Sequence, residues 1–281
     1  MVAVVTDSAS NIPPELARAH RIEVAPLHLF LGEEEYRDGV DLTPADFYAR
    51  LVTDRAHAST AAPSPGDFLD AFQRSGEDEI VCVCVAADMS ASRNNARLAA
   101  GRTDAHVDVV DSMSASMAQG FVVLEAARAA TMGASLEGVA GRARTLAEEA
   151  ALVATIETFE FLRRSGRVNA LQAFAGTTLG LQPVFRFRRG AASGVARPRT
   201  RERALAHVVE ASLAEIRGRP VHLAAFHAAA PREAEALLEA IAASAEVIEQ
   251  LVVEVTPVIG AHTGPGLAGA AFVCDEAKLR P

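Results

Sequence analysis

Ile80 to Val85 is a short apolar run without an interruption and Val107 to Val110 is apolar but for Asp108, and each ends in a polar loop leading into an alanine-rich helical stretch. A strand with one wet face alternates apolar and polar residues, whereas an unbroken apolar run is the mark of a parallel strand covered on both faces. Val2 to Val5 is a third such run, ending at Thr6-Asp7-Ser8, with Pro13 placed to open the helix that follows. Three strand-to-helix units confine the amino-terminal half to an α/β layer fold. Ligand loops in that architecture lie at the carboxyl ends of the strands. Here those loops are 6–10, 86–92 and 111–116, all rich in small hydroxyl residues.

The elements between these runs follow from local signals. Arg21 to Leu31 reads as one strand; Thr43-Pro44 is an N-cap with proline in the first turn, opening a helix to about Leu51, and Ser64-Pro65 repeats the signal. After a helical stretch from Leu136 to Ala150 the pattern changes. Leu152 to Ile156 reads as a strand, Phe159 to Arg164 as a short helix, and Leu181 to Phe187 with Gly194 to Arg197 as a hairpin about Arg188-Arg189-Gly190. Helices over Glu202 to Arg217 and Arg232 to Ser244 alternate with strands over Val221 to Phe226 and Val247 to Val255. The expected architecture is α/β in two domains. Residues 1–150 form a parallel-sheet α/β/α domain carrying the hydroxyl loops, and residues 151–281 an α/β domain with a mixed or antiparallel sheet.

Composition removes several function classes. Half of the 281 residues are hydrophobic and 22% are charged, which excludes a disordered chain. The formal charge is −9, which argues against nucleic acid as a partner. Lys278 is the sole lysine, so neither a P-loop lysine nor a Schiff-base lysine lies in 1–277. Cys82, Cys84 and Cys274 do not make a disulfide framework. Met1 to Asp7 carries no basic leader, and no stretch reaches the roughly 18 apolar residues of a membrane span. The expectation is a cytoplasmic protein without stable membrane insertion.

Motifs for cofactor chemistry are weak. Gly264 to Gly269 satisfies G-x-G-x-x-G, but that motif needs a strand before it, a helix after it and an acid about 20 residues on. A strand over Ala270 to Cys274 follows instead, so the glycines read as a tight turn. There is no G-x-S-x-G or H-E-x-x-H, and the eight histidines have no metal-ligand spacing; neither a metal nor a cofactor is expected. The hydroxyl groups of 59–64, 90–92 and 112–116 have two readings, as ordinary N-caps or as an anion site built from several helix N-termini. Asp7 and Asp111 likewise either cap or orient these loops. His262, among glycines, is placed on a loop.

An ordered set of segments resembles the bacterial DegV family of fatty-acid-binding proteins. They are Thr6-Asp7-Ser8-Ala9-Ser10, Thr60 to Phe68, Met89-Ser90-Ala91-Ser92, Asp111-Ser112 with Ser116 to Gly120, Phe161 to Val168, Gly176 to Val184, Arg199-Thr200-Arg201 and Gly260 to Gly266. The resemblance implies a carrier, not an enzyme, with no catalytic residue of its own. Such a carrier holds a long-chain fatty acid between two domains and presents the carboxylate to a separate fatty-acid kinase subunit, which makes an acyl phosphate. It implies carboxylate contacts at Thr60, Ser90 and Ser92, a head-group or phosphate-transfer role for Arg199 and His262, and loop-orienting roles for Asp7, Ser8, Asp111 and Ser112. The chain departs from the family pattern at Ala61, Ala86, Ala87, Ala91 and Arg93. Two other readings stay open: a serine-dependent acyl hydrolase using Ser90 or Ser114 with His262 as base, and an anion-binding regulatory module.

Overall fold

The computed structural model describes residues 1–53, 58–166 and 180–275. Strand β1 (Val2–Asp7) is buried along its whole length, as its unbroken apolar run requires. A 3-10 turn over Ser8–Ser10 follows and ends at Asn11 in the left-handed region, φ 58°. Helix α1 (Pro14–Ala19) then starts with proline in its first turn. Strand β2 (Ile22–Ala25) runs parallel to β1, with Val4 opposite Ile22. Strands β3 (His28–Leu31) and β4 (Glu34–Arg37) form an antiparallel hairpin. The single strand expected over Arg21 to Leu31 is therefore two strands in two sheets. Pro26 lies between them, where a residue without an N–H cannot continue a ladder.

Helix α2 (Pro44–Thr53) leads to β5 (Ala58–Ala61), which pairs with β3 to complete a small sheet ordered β4-β3-β5. Helix α3 (Pro65–Ser75) opens with a capping box: the Asp67 N–H donates to Ser64 Oγ at 3.2 Å and the Ser64 N–H to Asp67 Oδ2 at 2.7 Å. Strand β6 (Glu79–Cys84), helix α4 (Ser92–Ala100), strand β7 (His106–Asp111), helix α5 (Ser116–Thr131) and helix α6 (Leu136–Glu149) complete this half. The larger sheet here is all parallel, ordered β2-β1-β6-β7.

In the other half β8 (Ala150–Thr155) is followed by α7 (Glu160–Arg164) and the hairpin β9 (Val184–Arg188) and β10 (Ala191–Ala196). Its two turn residues, Arg189 and Gly190, have φ of 51° and 76°, the pair of positive values that matches strand twist in a tight hairpin. Helix α8 (Arg201–Ile216), β11 (Val221–His227), α9 (Pro231–Ala242), β12 (Val247–Glu254), α10 (Pro257–Thr263) and β13 (Ala268–Cys274) follow. The six-stranded sheet is mixed, ordered β10-β9-β8-β13-β11-β12, with β11 and β12 parallel and the other pairs antiparallel.

Helix α5 decides how the halves meet. Every residue from Ser116 to Ala127 is buried, because α5 packs on β1 and β6 on one side and on β8, β11 and β13 on the other. A helix covered all round needs no polar stripe. Helices α3 and α4 cover the far face of the parallel sheet, and α8 and α9 that of the mixed sheet. Strand β8 shows the consequence: Leu152 and Ala154 face the core around α5, while Ala151 and Val153 face the core under α8 and α9.

Candidate functional site: an apolar cavity closed by hydroxyls and a histidine

The cavity lies where the carboxyl ends of β1 and β6 meet the face of the mixed sheet, and it encloses about 1040 Å³ of space free of protein atoms, part of it open to solvent. Its walls are apolar, with Leu152 on β8, Phe185 and Phe187 on β9, and Phe226 on β11 prominent. Hydrogen-bonding side chains come from Thr60, Ser90, Ser116, His262 and Thr263, and no Asp, Glu, Lys or Arg is among the described residues that line it.

Two of the sequence candidates meet directly. Thr60 sits on β5 and His262 in the last turn of α10, and Thr60 Oγ1 lies 2.8 Å from His262 Nε2. The residues come from opposite halves of the chain. The loop placement expected for His262 is corrected: Pro257 in the first turn opens a short helix that runs to Thr263, and the glycine turn begins only at Gly264. Gly264 and Gly266 have φ of 74° and 80°, and a Cβ on Gly264 would lie 2.2 Å from the Phe161 ring, so the glycine pattern is a tight turn seated on α7.

Ser90 lies on the other rim, and Ser92 is fully buried behind it and does not line the cavity. Ser90 Oγ is 2.9 Å from Ser92 Oγ and accepts the Ser92 N–H at 3.2 Å. Neither α4 nor α5 has a side-chain cap; their N-cap positions are Ala91 and Ala115. Of the three hydroxyl clusters, only that of Ser64 caps a helix by the expected bond. The other two leave helix N-termini, with their positive dipole ends, uncapped beside the cavity.

Asp7 is fully buried behind this rim. Its carboxylate accepts the Val85 N–H at 2.9 Å and Gln119 Nε2 at 3.0 Å, and Ser92 and the Ala9 N–H also hydrogen-bond to it. Burial pushes its carboxyl up to about 6, against the opposing pull of these bonds. Ser8 Oγ donates to Asp38 Oδ2 at 2.7 Å and accepts the Leu27 N–H at 3.0 Å. Asp38 is also pushed up to about 6 by burial, while bonds from Ser8, the Val258 N–H and Thr256 oppose the shift. Asp111 accepts the Met113 N–H at 2.8 Å and the Ala87 N–H at 3.4 Å, and Arg93 NH1 stands 3.6 Å away. Ser112 Oγ donates to the Ser114 carbonyl at 3.1 Å. Arg199 is exposed, precedes α8, and does not line the cavity. The Gly176 to Leu179 part of the resemblance lies outside the described residues.

Asp38, Asn11 and Gln119 were not singled out as site residues from the sequence. A signal existed for Gln119, an amide inside an otherwise apolar helix. Asp38 and Asn11 read locally as turn residues. Away from the cavity, Glu125, His222 and Glu249 bring ligand-type atoms within 4.8 Å of one another. Their carboxylates are engaged by arginine: Arg128 bonds Glu125 and Glu249, and Arg142 bonds Glu125 and Asp275. That cluster is an ion-pair network joining α5 and α6 to the mixed sheet.

An α/β chain with a cavity between its sheets, lined by apolar groups and hydroxyls and by no Asp, Glu, Lys or Arg among the described residues, is a ligand-binding architecture. The family model described as "Uncharacterised protein, DegV family" matches residues 1–275, and the chain belongs to the DegV family. A DegV domain-containing protein of Streptomyces coelicolor is 33% identical over 272 residues, 95% of this chain and 96% of that protein. A fatty-acid-binding DegV family protein of Thermus thermophilus superposes with a TM-score of 0.91 at 31% identity, covering 98% of this chain and 99% of that one. DegV of Bacillus subtilis, described as a fatty acid binding protein, gives 0.88 at 27% identity with the same coverage. No helix among the described residues is long and apolar enough to cross a membrane.

Proposed function

We propose that this protein binds one long-chain fatty acid in the cavity and presents its carboxylate to a separate kinase for conversion to an acyl phosphate. The observation that carries the reading is the cavity itself, whose walls are apolar and whose polar side chains are hydroxyls and one imidazole. A sixteen-carbon chain brings about 14 methylenes at roughly 0.8 kcal/mol each, about 11 kcal/mol before the costs of ordering, so the hydrocarbon dominates affinity and the head needs only a few donors. Thr60, Ser90 and Ser92 are the carboxylate contacts in this reading, with Asp7, Ser8, Asp111 and Ser112 holding their loops. Residues 1–150 and 151–281 act as the two domains that enclose the ligand. The protein is then a carrier working inside the cell and supplies no catalytic residue or cofactor.

The test is to denature the purified protein and identify released lipids by mass spectrometry, then to titrate the delipidated protein with palmitate and oleate. One fatty acid per chain is expected. Absence of co-purified lipid together with no binding at micromolar concentration refutes the reading. Arg199 and His262 are assigned to transfer: with a kinase partner, Arg199→Ala and His262→Ala are expected to lower acyl phosphate formation by a larger factor than they lower affinity. Equal losses in both quantities would make them simple ligand contacts.

A further inference from the structure

Helix α10 carries His262 but has no cap of its own. Its N-cap residue, Thr256, makes no side-chain capping bond, and Pro257 takes the first turn. The cap comes from 220 residues away: Asp38 Oδ1 accepts the Val258 N–H at 3.1 Å, while Asp38 Oδ2 takes the Ser8 hydroxyl at 2.7 Å. The Asp38 backbone is held as well, its N–H donating to the Leu27 carbonyl at 2.8 Å. Beside it, Asn11 closes a second clamp, its Oδ1 accepting the Thr256 N–H at 3.1 Å and its Nδ2 donating to the Glu254 carbonyl at 2.9 Å. Asp38 is 3% exposed, so the bonds to its carboxylate are largely shielded from water. Val258 lines the cavity and precedes His262 by four residues, one helical turn along the same face.

We infer that Asp38, supported by Asn11, is a positioning residue that fixes the start of α10 on the first-strand loop and thereby aims His262 at Thr60 across the cavity. The clamp lies at one end of a seven-residue helix and the Thr60 bond at the other, so the helix is held at both ends. The inference deepens the fatty-acid reading and rests on it for its ligand.

The experiment is a double-mutant cycle on palmitate affinity with parent, Asp38→Ala, His262→Ala and the double variant. Each single change is expected to weaken binding roughly tenfold, the loss of about one hydrogen bond to a polar partner. If Asp38 acts through His262, the double variant binds within about threefold of His262→Ala alone. Independent losses that multiply to about a hundredfold overturn the inference, as does parental affinity in Asp38→Ala. If Asp38→Ala does not fold, the same cycle is run with Asn11→Ala, which cuts the neighbouring clamp. A second readout needs no ligand: the imidazole resonances of His262, identified by their loss in His262→Ala, are expected to move in the Asp38 or Asn11 variant, and unchanged resonances refute the inference. A parent protein that binds no palmitate refutes the fatty-acid reading, and the resonance measurement still decides the role of Asp38.

Discussion

In the fatty-acid reading Thr60 and Ser90 act through single hydroxyls. One meets His262 and the other Ser92, so each already has a partner that a carboxylate would have to replace or join. A hydrogen bond to a charged acceptor contributes roughly 1.5 to 3 kcal/mol, so Thr60→Ala or Ser90→Ala is expected to weaken palmitate binding about tenfold or more, as read by calorimetric titration. A fatty-acid complex with both hydroxyls beyond about 4 Å of the head group would contradict the assignment. Asp7 and Asp38 carry a pH signature. Their carboxyls sit at about 6 in the folded protein against 3.8 in a free chain, so between those values the folded state binds the more protons. Their contribution to stability is present at the acid end of that window and falls as pH rises through it. Asp38→Asn removes the Asp38 share of this dependence. Relative to the parent, it is expected to gain as pH goes from about 4 to about 8, by up to about 3 kcal/mol, measured from urea midpoints. A parent-to-variant difference independent of pH would refute the raised carboxyl.

Helix α10 depends on close approach as much as on capping. A Cβ on Gly260 would lie 2.4 Å from Tyr48 Oη and 3.0 Å from Phe47 Cε1, and both aromatic side chains on α2 are buried. Gly260→Ala is therefore expected to push α10 off α2 at a cost of about 1–3 kcal/mol and to weaken palmitate binding, because His262 moves with the helix. Denaturant midpoints and binding isotherms check the two effects, and a variant with parental stability would mean that Tyr48 has room to turn away. A similar economy explains Pro26. By ending β2 it frees β3 to enter the small sheet with β5, and this places Thr60 opposite Leu29.

At the scale of the molecule, one apolar core runs from β1 through α5 to β8, β11 and β13. Both sheets lose a covered face if α5 leaves, so neither half keeps its core alone. Scanning calorimetry is expected to show one cooperative transition with calorimetric and van't Hoff enthalpies in agreement. Two separated transitions would mean that the sheets unfold independently. Because the cavity lies between the sheets, a fatty acid at about a hundred times its Kd should add about 2.7 kcal/mol and raise the transition by several degrees.

The order of elements was legible in the sequence because local physics writes it there. Unbroken apolar runs mark strands covered on both faces, and Ser64 with Asp67 marks a helix start through bonds three residues apart. The hydroxyl clusters and His262 were also legible, the clusters as residue types suited to capping or to an anion site and both as parts of a family pattern. Where those groups go was not. Pro26 divided one apparent strand, yet only pairing with β5 decided which sheet received the second piece. Ser90 and Ser112 have the chemistry of caps, but each closes a local turn instead, Ser90 Oγ accepting the Ser92 N–H and Ser112 Oγ the Ser114 N–H. Asp38 beside Gly39 is locally a surface turn; it is a buried carboxylate because α10, more than 200 residues later, packs on it and supplies a Val258 N–H that the N-cap residue Thr256 does not take. Sequence determines what a residue can bond to and which face of its element it occupies. The fold decides which of those bonds is made, since a buried polar group takes its partner from whatever chain segment packing brings within reach.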